Sequence, residues 1–169
     1  MHKGLSEPHI FLVNSNPQVL LRNLQGVLSP AELNKIQVEV VANVVGLFNL
    51  GAGHFTFAKS LPSTEWRQKI SRHYYGAYNV RRALVLNDSG TFSTDSSDHK
   101  EVSKIPAGLA NVGAHQQMLK TLRDDRNLCD YSHLALESDL LSPVAVVELG
   151  VQQFIRDVKS FLNANGVAV

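Results

Sequence analysis

Three prolines in this chain each follow a residue that can cap a helix: Asn16-Pro17, Ser29-Pro30 and Ser142-Pro143. The side-chain oxygen of Asn or Ser accepts from the first free amides of a helix. Proline suits the first helical position because the N–H it lacks would have no partner there. Apolar residues at helical spacing follow two of these starts. After Pro30, Ile36, Val40, Val41, Val44, Val45 and Phe48 recur as far as Gly51 and Gly53, where the pattern predicts the helix to stop. After Pro143, Val144, Val147, Val151, Phe154, Ile155, Val158 and Leu162 recur, with Gly166 beyond them. Ser63-Thr64-Glu65 offers a cap and an acid without the proline. Trp66, Ile70, Tyr74, Ala77, Tyr78, Leu84 and Val85 then repeat until Asp88-Ser89-Gly90. A further long helix is predicted between residues 112 and 133, and shorter ones at 17–28 and 98–105.

Strands have little to build on. Val38 to Val45 is rich in β-branched residues, which suit strands and buried helices alike, but its length and its proline start favour helix. Ile10 to Val13 reads as a short strand with no evident partner. The expected fold is all-α, an up-and-down bundle of four to five helices with short accessory helices. Residues 1–28 read as an N-terminal arm with a short helix, and residues 29–169 as the bundle. The polar run 88–98 is expected to be a mobile loop, and 106–113 a bent connection.

Composition narrows the function. Sixteen Lys and Arg against fifteen Asp and Glu leave a net charge of +1, so any attraction for nucleic acid must come from a local patch. The single cysteine, Cys129, excludes an internal disulfide framework and a Cys-based zinc cluster, and it suits a reducing cytosol. The start of the chain lacks the long apolar centre of a signal peptide. No run approaches ~20 uninterrupted apolar residues. A cytoplasmic protein with no membrane association is expected. The seven histidines form no His-x-x-x-His or Glu-x-x-His pair, so neither a metal nor another cofactor is expected.

The segment Leu119 to His133 carries the most chemistry. Positions seven apart on a helix lie within ~20° of each other, so Arg126 and His133 would share an arc with Met118, Leu119, Leu122 and Cys129. An arginine in an apolar stripe is costly unless it is paired or lines a cleft. Asp130, four residues on, could pair with it, which makes a plain ion pair the bland alternative. In a cleft, arginine offers a permanent phosphate clamp, and histidine titrates where proton transfer is useful. Upstream, residues 59–86 hold Lys59, Arg67, Lys69, Arg72, Arg81 and Arg82 against Glu65 alone, interleaved with Tyr74, Tyr75 and Tyr78. That mixture could hold an RNA backbone and stack bases, or could simply be core and snorkelling stems.

These residues resemble a known family. Arg126-Asn127 followed by His133 is similar to the R-polar-x(4–6)-H motif of HEPN domains (higher eukaryotes and prokaryotes nucleotide-binding). Tyr74-Tyr75-Gly76-Ala77-Tyr78 with Arg82-Ala83-Leu84 resembles the family's first long core helix. Asp98-His99-Lys100-Glu101-Val102 resembles a His-bearing short helix after it, and Asp130-Tyr131 resembles a recurrent Asp-Tyr pair. The resemblance spans about residues 64–165. It implies a dimerising helical bundle, often a metal-independent endoribonuclease of toxin or defence type, paired with an antitoxin or a nucleotidyltransferase. On that resemblance Arg126 and His133 would be catalytic with Asn127 assisting, and Arg123, Arg72, Arg82 and His99 would bind RNA or nucleotide. The alternative it leaves open is a non-catalytic RNA-binding, nucleotide-binding or protein-partner module. Catalysis calls for Arg126 and His133 together in an open cleft of a homodimer, whereas an Arg126 capped by Asp130 and buried favours the binding module.

Overall fold

The computed structural model describes residues 16–93 and 96–169. Five helices pack against one another: α1 (Pro17–Leu24), α2 (Pro30–Ser60), α3 (Trp66–Ser89), α4 (Val112–Tyr131) and α5 (Val144–Ala164). Short 3-10 turns lie at Ser63–Glu65, Ser96–Glu101 and Glu137–Asp139. The fold is all-α, with no strand among the described residues. The expected strand at Ile10 to Val13 lies outside them.

Two of the four expected caps form. The Asn16 side-chain oxygen Oδ1 accepts from the amides of Gln18 and Val19, and Ser29 forms a reciprocal capping box with Glu32. At α5 the helix starts one residue later than expected, after Pro143, and Ser142 makes no side-chain cap. The carboxylate of buried Asp125 serves that junction instead, accepting from the amides of Leu141 at 2.7 Å and Ser142 at 3.3 Å. Ser63 is not a cap either; it begins the 3-10 turn that leads into α3.

α3 is the central helix, packed against α2, α4 and α5. Its buried face includes Ile70, Tyr74, Ala77, Val80 and Leu84, and these join Val44, Phe48, Leu119, Leu122, Val151, Phe154 and Val158 in one core. At ~25 cal/mol per Å² of apolar surface, each of the Ile, Leu, Val and Phe side chains contributes about 1.5–3 kcal/mol against the cost of ordering the chain. The C-terminus of α3 closes on Gly90, whose φ of 67° lies in the left-handed region where a side chain would be strained. Asn16 and Gln18 donate to the carbonyls of Ser89, Asn87 and Asp88 there, so the described part of the arm is fastened to the bundle.

The helix from Pro30 does not stop at Gly51. α2 continues to Ser60, and the glycine serves a close crossing. A Cβ on Gly51 would sit 2.6 Å from the Gly76 carbonyl oxygen and 2.7 Å from Val80 Cγ2, so only hydrogen fits between α2 and α3. The result is a 31-residue helix carrying an 18-residue stretch of mean hydropathy 1.4, of which 22% is buried. By length and composition α2 could cross a membrane, a property it shares with core helices of soluble proteins.

Two further expectations change. The helix expected at 17–28 ends at Leu24, and the one expected at 98–105 is the 3-10 turn at 96–101. The run 88–98, expected to be a mobile loop, is anchored where it is described. Phe92 packs against the core, the Ser93 carbonyl accepts from Arg82, and Asp98 is buried.

Candidate functional site

Arg126 reaches the surface of the core between α3 and α4, with a side chain 14% exposed. Its Nη2 donates to the Tyr75 hydroxyl at 2.6 Å and its Nη1 to Asn127 Oδ1 at 3.1 Å. Its Nε lies 2.7 Å from an Asp130 carboxylate oxygen, an ion contact without an aligned hydrogen bond. The rings of Tyr74, Tyr75 and Tyr131 surround the guanidinium at 5.4–5.7 Å, a cation–π arrangement. Burial opposes its charge, but the Tyr75 hydrogen bond and the nearby Asp130 hold its pKa above the usual arginine value. Arg126 is therefore a permanent cation.

A cavity of about 610 Å³ opens beside it, lined by Tyr74, His99, Lys100, Arg123, Arg126, Asn127 and Tyr131. α4 supplies Arg123, Arg126, Asn127 and Tyr131 on successive turns. The 3-10 turn at 96–101 brings His99 and Lys100 to the same opening. That turn is held by a second arginine: buried Arg81 pairs with Asp98 at 2.8 Å and donates to the carbonyls of Lys104 and Glu101. The Tyr78 hydroxyl also donates to Asp98, at 3.0 Å. Three cations thus line one cavity, opposed by Asp130 on Arg126 and by Asp124, 2.9 Å from Arg123. A concave site with cations, exchangeable polar groups and a 76%-exposed aromatic ring at Tyr131 is suited to a phosphate carrying a base.

The sequence candidates divide. Arg126, Asn127, Arg123 and His99 come together in the cavity, and His133 does not. The helix expected to reach residue 133 ends at Tyr131, and Ser132 is extended, so the seven-residue spacing no longer places Arg126 and His133 on one helical face. The cause lies 62–68 residues upstream. Arg67 donates to the carbonyls of Cys129, Ser132, His133 and Ala135, satisfying acceptors that the helix end leaves open and turning the chain away. His133 is exposed on that turn.

Arg72 and Arg82 lie outside the cavity lining. Arg72 sits over Phe57 of α2. Arg82 is packed on Tyr78 and Phe92 and donates to Asn79 and to the Ser93 carbonyl. Lys100 and Tyr131 have no binding role in the sequence reading, whereas Tyr74 is among the tyrosines that could stack bases. The available signal was Lys100 beside His99 in a run already marked as similar to a His-bearing turn. Cys129 is buried, and burial pushes its thiol up to about 11, which leaves it protonated and unreactive. Among the described residues no three His, Cys, Asp or Glu side chains gather in a way that could hold a metal ion. Comparison with models of known families, with curated proteins and with solved structures gives no match, so the functional reading rests on the geometry of this cavity.

Proposed function

We propose that this chain is an RNA- or nucleotide-binding module of HEPN type, which holds phosphate in the Arg126 cavity without cleaving it. The observation that carries the reading is the convergence of Lys100, Arg123 and Arg126 on one aromatic-lined cavity from which His133 is absent. Arg126 is the positioning cation. Its side-chain partners Asn127 and Asp130 can yield to a phosphate oxygen at little structural cost. Arg123 and Lys100 supply charge at the rim, and Tyr131 offers an exposed face for a base. A cytoplasmic setting and a partner such as an antitoxin or a nucleotidyltransferase belong to the same proposal.

Fluorescence anisotropy with a labelled single-stranded RNA oligonucleotide at graded salt tests it. Arg123→Ala and Lys100→Ala should each weaken binding across all sequences and reduce the salt slope by about 1, as loss of a phosphate contact does. Absence of salt-dependent binding by the wild type would refute the reading. The endoribonuclease alternative with Arg126, Asn127 and His133 requires a homodimer in which a second copy brings His133 to the cavity. Its signature would be cleavage in excess EDTA that is lost in His133→Ala.

A further inference from the structure

Tyr74 Oη lies 2.6 Å from His99 Nδ1, and His99 is the only hydrogen-bond partner of that hydroxyl among the described residues. Tyr74 is almost fully enclosed, at 1% exposure, and burial raises its pKa well above the ordinary tyrosine value. The hydroxyl therefore keeps its proton and must place it on an acceptor. If Nδ1 carried a hydrogen instead, the tyrosine proton would have no acceptor among the described residues, at the cost of an unsatisfied donor. Tyr74 thus donates to Nδ1, and a neutral imidazole that accepts at Nδ1 carries its own hydrogen on Nε2. Burial first, and the neighbouring Arg126 charge second, lower the His99 pKa, which keeps the ring neutral at neutral pH.

The ring cannot swing freely. It stacks on Tyr78 with centroids 4.3 Å apart and planes 23° from parallel, and it contacts Tyr74 on another side. Nε2 makes no hydrogen bond with a described residue. Unlike the two ring nitrogens of His73, it is not among the buried polar atoms left without a hydrogen bond. His99 itself lines the cavity that holds Lys100, Arg123 and Arg126.

We infer that Tyr74 fixes the tautomer of His99 so that Nε2–H serves as a neutral hydrogen-bond donor to an RNA phosphate oxygen in the cavity. This rests on the phosphate-binding reading above and adds to it a contact of a different kind. The three cations attract phosphate through charge that salt screens. A neutral donor displaces no counterion, so it adds directional affinity without adding to the salt slope.

Two readouts separate the inference from the reading beneath it. Long-range 1H–15N correlation on histidine-labelled protein at neutral pH should give His99, assigned by its loss in His99→Gln, the pattern of the Nε2–H tautomer. Tyr74→Phe keeps the buried ring and removes only the hydroxyl; it should shift His99 to a mixture of tautomers. In anisotropy titrations with the same single-stranded RNA, His99→Ala should weaken binding about three- to tenfold, the worth of one neutral hydrogen bond, with the salt slope unchanged. His99→Gln, whose amide N–H can replace Nε2–H, should restore part of the loss. An Nδ1–H pattern, or unaltered affinity in folded His99→Ala while Arg123→Ala loses affinity, would overturn the inference alone. Wild-type protein that binds no RNA would instead overturn the cavity reading, and this inference with it.

Discussion

Arg81 and Arg126 are both arginines set into the apolar interior of a helical bundle, and they are satisfied in opposite ways. Arg81 is 4% exposed and makes a closed circuit with the Asp98 carboxylate and the carbonyls of Lys104 and Glu101. Two of those three acceptors are backbone atoms that cannot leave. Both arginines line cavities, but Arg126 is held by side chains alone, Tyr75, Asn127 and Asp130, and its Nε has no aligned hydrogen bond. The first arginine shapes the turn that carries His99 and Lys100. The second is held by side chains alone, and on the proposed reading it is those side chains that give way to a phosphate.

That contrast can be broken most visibly at Arg81. Arg81→Met leaves Asp98 buried beside one remaining hydroxyl donor, and removing one member of a buried pair typically costs about 3–5 kcal/mol. Urea denaturation should show that loss as a lower midpoint. A variant that stays as stable as the wild type would mean that the closed circuit contributes nothing net.

A buried histidine supplies a second probe of enclosure. His73 is fully buried, both its ring nitrogens lack hydrogen-bond partners, and burial together with Lys69 and Lys59 outweighs the Glu148 carboxylate 3.7 Å from Nε2 and lowers its pKa to about 4. The folded state therefore resists protonation while the unfolded chain takes the proton below ~6.5. Stability from this group is full above that value. It falls as pH drops through the window from ~6.5 to ~4, by up to about 3 kcal/mol. Urea midpoints at pH 7 and pH 5 should differ accordingly, and His73→Phe should flatten the difference. An equal slope in His73→Phe would place the proton uptake elsewhere.

Asp130 tests the exchangeable side of the contrast with a smaller effect. Asp130→Asn removes the carboxylate that competes with phosphate for Arg126. It should raise RNA affinity about three- to tenfold, in line with roughly 1 kcal/mol for a partly exposed pair, while stability changes little. Unchanged or weaker binding would show that Asp130 does not compete.

The helices were legible because caps and apolar spacing are local signals. Asn16 and Ser29 cap where their side chains can reach the next free amides, and α3 and α5 follow their apolar stripes. Gly51 was misleading because glycine marks both helix ends and close crossings. The second use depends on Gly76 and Val80, which lie 25 and 29 residues away. In the site, Arg126, Asn127 and Arg123 were legible because they sit on successive turns of one helix. His133 was misplaced because the end of α4 is set by Arg67, a partner that no local pattern names. Lys100 reaches the candidate site because the Arg81–Asp98 pair holds the 96–101 turn against α3.

Arg126→Gln tests the central claim most directly. The shorter amide side chain keeps some hydrogen bonding but removes the charge. In salt-graded anisotropy titrations with single-stranded RNA, paired with thermal melts, the account predicts a folded protein. Its dissociation constant should rise about tenfold or more, and its salt slope should be lower by about 1. A folded Arg126→Gln protein with the affinity and salt slope of the wild type would contradict it.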